Sequence, residues 1–236
     1  MDYRQTHLDK GGVYDATIAS LPWDAYMARW EAAYLREVVP ALVGGAGRYL
    51  DFACGTGRIT EVVAPLVREA VGVDLSDSML AEARRKCPGA HFVRADLTSE
   101  DVDIGQFDLA TSFRFLGNAG PELRQAALGA IAKRLRPEGF LIVNNHRNPR
   151  AIGTLLAKLD GSRHDLDLTH GMLVRLLADA GFRITRVRPI GFWVVRARYR
   201  QSAILESERA TTRERLFRHR AWARWAPDCV VVAQKR

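Results

Sequence analysis

The ten residues Tyr49-Leu50-Asp51-Phe52-Ala53-Cys54-Gly55-Thr56-Gly57-Arg58 constrain this chain more than any other stretch. Arg48 to Phe52 reads as a short buried strand, and Ile59 to Val67 sets Ile59, Val62, Val63 and Leu66 on one helical face. Between them lies a turn carrying Gly55 and Gly57. A helix that opens from such a turn points unpaired N–H groups and a positive dipole end over the strand's carboxyl edge, which makes a nucleotide-type site. Glycines there let the backbone turn tightly and approach a ligand closely.

The glycine pattern alone chooses weakly among nucleotides. A dinucleotide loop calls for a third glycine three residues after Gly57, and Thr60 stands there instead. Asp51 at the strand's end would also repel a pyrophosphate, whereas it suits a ligand with an ammonium group. S-adenosylmethionine is such a ligand.

The stretch resembles the first motif of the class I S-adenosylmethionine-dependent methyltransferases, apolar-apolar-Asp-x-x-Cys-Gly-x-Gly. The resemblance implies that Asp51 and the loop backbone at Ala53, Gly55 and Gly57 hold the methionyl end of the cofactor. Cys54 reads as a small packing residue, since no base stands beside it in sequence.

Ala70 to Ser76 is an apolar strand finishing in Asp74, seventeen residues beyond Gly57. A carboxylate at that strand tip has only acceptors to offer and suits the two ribose hydroxyls. Leu75 belongs to the same edge. Ser76 caps a helix from Asp77 to Lys86, and Met79 in its first turn is either an apolar contact for the adenine or a core residue. His91 to Leu97 reads as a third strand. The resemblance gives Asp96 the adenine amino group and lays Leu97 against the ring, while Asp96 also reads as a cap. Gly105 to Phe113 supplies a fourth strand, Phe113 counts among the cofactor residues, and Arg114 to Asn118 faces the transferred methyl. Asn118 is either a polar contact there or a cap for the helix from Pro121 to Leu135.

Pro137-Glu138-Gly139 then turns into a fifth strand, Phe140 to Asn144, and places His146 at the carboxyl edge, either as a general base or as a surface or structural histidine. Thr169 caps a helix to Ala180, Phe182 to Ile190 is a sixth strand, and Val230 to Ala233 is a last one, which the resemblance inserts antiparallel between the fifth and sixth. Glu206 to Trp225 reads as helix, as does a short piece around Ile152 to Leu159. Upstream, Pro22 to Leu42 has helical spacing. The resemblance makes residues 1–47 a helical lid, in which Tyr14-Asp15 matches a family pair, with Tyr14 either closing over the methyl-transfer site or, like Tyr26 and Trp30, packing the lid on the core.

The expected fold is therefore α/β, a doubly wound, mostly parallel sheet of seven strands under an N-terminal helical lid. At 236 residues a single domain is expected, with a cofactor half at 48–146 and a substrate half at 147–236. Met1 to Leu21 lacks the apolar core of a signal peptide, no apolar run approaches a bilayer span, and Cys54, Cys87 and Cys229 form neither a disulfide nor a metal pattern, so a cytoplasmic protein is expected. No metal is called for.

The expected activity is in-line transfer of a methyl group from S-adenosylmethionine to an O or N atom of a small molecule. His146, Tyr14 and Asn118 are the candidate catalytic residues. The alternatives are a nucleic-acid methyltransferase and a non-catalytic cofactor-binding partner protein. From Arg183 to Arg236 there are fourteen Lys or Arg against four acids. Such a surface attracts nucleic acid, anionic lipid or acidic substrates. No aromatic-rich RNA-binding motif accompanies the arginines, so nucleic acid is the less favoured partner and a solvated face the simpler reading. The acceptor and the oligomeric state are not written in the sequence.

Overall fold

A computed structural model describes residues 19–152, 154–155, 167–191 and 208–236, together with residues 12 and 16. The first long described helix, α1 (Pro22–Val43), starts with proline at its first turn, where no N–H is needed, and ends on Gly44 at φ 60°, whose N–H returns to Pro40 O. It buries Tyr26, Met27, Leu35 and Val38.

The sheet begins at its centre with β1 (Arg48–Phe52). The chain then moves outward through α2 (Arg58–Val63), β2 (Glu69–Asp74), α3 (Asp77–Lys86) and β3 (His91–Arg94). It crosses back to β4 (Phe107–Ser112) and continues through α4 (Pro121–Arg134), β5 (Leu135–Asn145), α5 (His170–Asp179), β6 (Phe182–Ile190), α6 (Glu208–Leu216) and β7 (Asp228–Lys235). The strand order is β3-β2-β1-β4-β5-β7-β6. β1 to β4 pair in parallel with their neighbours, as does β5 with β4, and β7 is antiparallel between β5 and β6. The expected doubly wound topology is borne out, including the antiparallel insertion.

Both faces of the sheet are covered, so its central strands read as nearly continuous apolar runs. Tyr49, Leu109, Ile142 and Val230 pack toward α1 and α2. Leu50, Ala110, Leu141, Val143 and Val231 pack the other way, with Leu128 and Ile131 of α4 and Leu173 of α5. The three cysteines are free and buried.

Several element boundaries differ from expectation, four of them for a plain local reason. The helix expected to reach Val67 stops at Val63 and tightens into a 3₁₀ turn, Ala64–Leu66, because Pro65 lacks the N–H that would continue it. The third strand ends at Arg94, where Asp96 Oδ1 accepts from Thr98 N at 2.9 Å and closes a turn. The Pro137-Glu138-Gly139 turn is absorbed into one long β5, with Glu138 at φ 62° and a shift of register opposite Phe107 and Leu109. The helix expected over Glu206 to Trp225 divides into α6 and a 3₁₀ segment, Arg220–Trp225, whose cap is His219. Tyr14-Asp15 and most of the helix around Ile152 to Leu159 fall outside the described residues. Among the described residues no helix is long and apolar enough to cross a membrane.

Candidate functional site

Strand order reverses between β1 and β4, and a cleft opens there at the carboxyl ends of the strands, with about 1070 Å³ of free space including its mouth. Its walls come from the loop after β1, the tips of β2 and β4, and the segment Ala95 to Thr98. The loop is sharply wound: Ala53, Gly55 and Gly57 all have positive φ, at 57°, 54° and 76°. At Ala53 that conformation costs about 1 kcal/mol, which the strand and helix on either side must hold in place.

The two glycines do different work. A Cβ at Gly55 would meet nothing within 4 Å, and Gly55 borders the cleft. A Cβ at Gly57 would come within 3.0 Å of Ala83 on α3. Gly57 thus lets two helices approach rather than lining the cleft, where it is not found. Ala53 does line it.

Three carboxylates reach the cleft from three successive strands. Asp51, 2% exposed, accepts from Thr111 Oγ1 at 2.8 Å and from Thr60 Oγ1 at 2.7 Å. The residue standing in for a third glycine therefore supports the acid. Burial pushes the Asp51 carboxyl up to about 6, against the pull of the two threonine hydroxyls and Arg58. Asp74 accepts from Gly55 N at 2.8 Å and Ser76 N at 3.0 Å, which ties the β2 tip to the glycine loop. Asp96 lines the cleft while capping its own turn. Leu75, Leu97, Met79 and Phe113 also line it, and Met79, 3% exposed, is at once wall and core.

Arg58 and Arg114 complete the wall, and both are tied to carboxylates on α1. Arg58 Nη1 lies 2.8 Å from Glu31 Oε2, and Arg114 Nη1 lies 2.8 Å from Asp24 Oδ1. Asp24 and Glu31 are two helical turns apart and share a face. Asn144 at the end of β5 joins the two pairs, donating from Nδ2 to Glu31 Oε1 at 2.6 Å and accepting from Arg114 N, also at 2.6 Å. A continuous polar chain thus ties α1 to two arginines of the cleft wall.

That chain continues into the candidate base. His146 Nδ1 lies 2.5 Å from Asp228 Oδ2, and its Nε2 is 3.7 Å from Asp24 Oδ1. Asp228 is buried, which raises its carboxyl, but His146 beside it and the Arg147 N–H bring it below its ordinary value. His146 borders the Asp24–Arg114 pair rather than the cleft wall itself. Asn118 is exposed and not on that wall; its Nδ2 donates to Arg114 O at 2.6 Å, and the cap of α4 is Gly120. Asp24, Glu31, Arg58, Asn144 and Asp228 went unread in the sequence. Asp228 begins the last strand, 82 residues from His146, and only the antiparallel β5–β7 pairing brings the two together. Among the described residues no cluster of His, Cys, Asp and Glu is arranged to hold a metal.

Residues 50–139 match the family described as "Methyltransferase domain". The demethylmenaquinone methyltransferase of Beutenbergia cavernae is 31% identical over 144 residues, which are 60% of this chain and 59% of that one. The dTDP-3-amino-3,4,6-trideoxy-alpha-D-glucopyranose N,N-dimethyltransferase of Streptomyces venezuelae is 28% identical over 163 residues, 67% of this chain and 66% of that one. The chain spans a little over half the length of the first curated relatives it matches, 53% and 59%. The S-adenosylmethionine-bound amino pentose methyltransferase of Micromonospora echinaspora superposes with a TM-score of 0.61 at 21% identity, over 90% of this chain and 95% of that one. The likeness read from the motifs is borne out: the stretch from β1 into β5 is of methyltransferase-domain type, and the fold is shared with solved methyltransferases.

Proposed function

We propose, from a methyltransferase-domain segment set in a methyltransferase fold, that this chain transfers a methyl group from S-adenosylmethionine to an O or N atom of a small molecule. One observation carries the proposal. Carboxylates stand at or just beyond the ends of three successive strands and line a single cleft: Asp51, Asp74 and Asp96. A ligand with an ammonium, a ribose diol and an adenine amino group presents donors to all three, whereas a pyrophosphate would meet Asp51 with like charge.

S-adenosylmethionine, when bound, supplies a methyl group on a sulfonium leaving group. In this reading Asp51 faces the ammonium, Asp74 the ribose hydroxyls and Asp96 the adenine, with Leu97 and Met79 against the ring and Phe113 beside them. The loop backbone at Ala53 and Gly55 and the residue Leu75 complete the holding edge, and Gly57 serves by letting α3 approach. Arg114, Asp24 and Asn144 fix the rim where the acceptor enters. Catalysis then rests on holding the acceptor in line and excluding water, which supplies several kcal/mol. An acceptor hydroxyl must also lose a proton. Asp228 holds the Nδ1 side of His146, leaving Nε2 to take that proton beside Asp24. Tyr14 is a second candidate. Residues 1–47, 48–146 and 147–236 act as lid, cofactor half and substrate half of one domain.

The relatives act, by their names, on demethylmenaquinone and on a dTDP-linked amino sugar. They support a small metabolite as acceptor here without choosing it. Mass spectrometry of small-molecule extract incubated with the protein and methyl-labelled cofactor identifies it. On that acceptor His146→Ala lowers kcat/KM by about 10²-fold or more and Asp228→Asn by about tenfold, with cofactor affinity unchanged. Losses under about threefold, less than 1 kcal/mol, in His146→Ala and in Tyr14→Phe remove both from the mechanism.

A further inference from the structure

The excess of arginine in the last third of the chain is not spent on the cleft. Part of it lines a groove of about 1360 Å³, mouth included, at the opposite edge of the sheet. Its rim carries Arg186 and Arg188 of β6, Arg215 of α6, and Arg218, His219 and Arg220 of the segment that follows. No aspartate or glutamate lines it among the described residues. β6 is the edge strand, four strand spacings from β1, so the groove lies about 19 Å across the sheet from the first strand of the cleft.

The groove is built, not incidental. The one acid of α6 near it, Glu214, is 2% exposed and turned inward, accepting from Tyr26 Oη at 2.6 Å and from Gly191 N at 3.0 Å. That anchor fixes Arg215 and Leu216 at the groove. On β6, Arg188 lies over the Tyr34 ring of α1 at 5.6 Å. The groove wraps the free edge of β6: Arg186 and Arg188, paired with Val232 and Val230, stand on the α1 face, Ile184 and Val187 on the other, and Leu216, 69% exposed, adds an apolar contact.

We propose that this groove docks an acidic amphipathic segment of a partner protein. Guanidinium groups pair carboxylates bidentately, and an exposed leucine among them asks for apolar side chains on the same partner. A single-stranded nucleic acid matches the arginines but stacks its bases on aromatic faces, and no Phe, Tyr or Trp lines the groove among the described residues. An anionic bilayer engages protruding residues, whereas these arginines border a concavity.

The test uses fluorescence anisotropy on the full chain with labelled probes: a helical peptide of about 20 residues with Glu on one face and Leu on the other, the same peptide with Lys for Glu, and a single-stranded RNA of about the same charge. Flotation with phosphatidylserine–phosphatidylcholine vesicles supplies a further arm. The acidic peptide binds about tenfold tighter than the RNA or the basic peptide, and added salt weakens it. The double variant R215E/R218E abolishes that binding and the milder R186Q/R188Q weakens it about threefold or more, while cofactor affinity stays at the parent's value and both variants remain folded by circular dichroism. Tighter binding of RNA or of vesicles, no binding of the acidic peptide, or binding that both variants leave intact overturns the proposal.

Discussion

Asp51 sits 2% exposed between two threonine hydroxyls, and its position makes a prediction about protons. Its carboxyl titrates near 6 in the fold, above the ordinary 3.8. A raised carboxyl contributes stability that is fully present below about pH 3.8 and lost as pH rises through about 6, at a cost approaching ~3 kcal/mol once ionised. A ligand ammonium recovers part of that cost, but only with the ionised form. S-adenosylmethionine is therefore expected to bind about tenfold more weakly at pH 5 than at pH 7 and to release a proton near pH 6, by calorimetry in buffers of different ionisation heat. Asp51→Asn removes the pH dependence. A wild-type affinity that is flat from pH 5 to 7 contradicts the role.

α1 is the element whose attachment is least usual, since two of its acids hold residues of the cleft wall. Glu31 is 1% exposed and is shared by Arg58 and Asn144. Removing it strands a buried amide and an arginine that keeps some water, so Glu31→Ala is expected to lower unfolding free energy by about 2–4 kcal/mol in urea, and Glu31→Gln by less. A loss below about 0.5 kcal/mol for the alanine variant would mean that α1 is held by its apolar face alone. The existence of α1 was legible from its apolar spacing, as were β1, α3 and β6 to the residue, because each has a strong period and a chemical stop such as Pro22, Gly44, Ser76 or Gly181. The attachment was not legible. Glu31 meets Asn144 across 113 residues, and no local rule assigns a buried acid its distant partner. The same holds for Asp228 and His146. Boundaries slipped where one residue overrode a pattern, as Pro65 did in α2 and Asp96 after β3.

At the scale of the whole molecule, a strand order that reverses beside β1 creates one cleft, and the residues legible in the sequence at that cleft were those set by short spacings: Asp51, Gly55, Asp74 and Asp96. What the sequence concealed was the second edge, where β6, α6 and the 3₁₀ segment gather the arginines into a groove. The two regions are built on one sheet, and cofactor binding belongs to the first. Calorimetry of the wild-type chain with S-adenosylmethionine, S-adenosylhomocysteine and NAD tests it most directly, beside Asp74→Ala. The first two are expected to bind and NAD little or not at all, with a loss of more than about 1.5 kcal/mol in the variant for the missing ribose hydrogen bonds. Tight binding of NAD, or an unchanged S-adenosylmethionine affinity in Asp74→Ala, would contradict it.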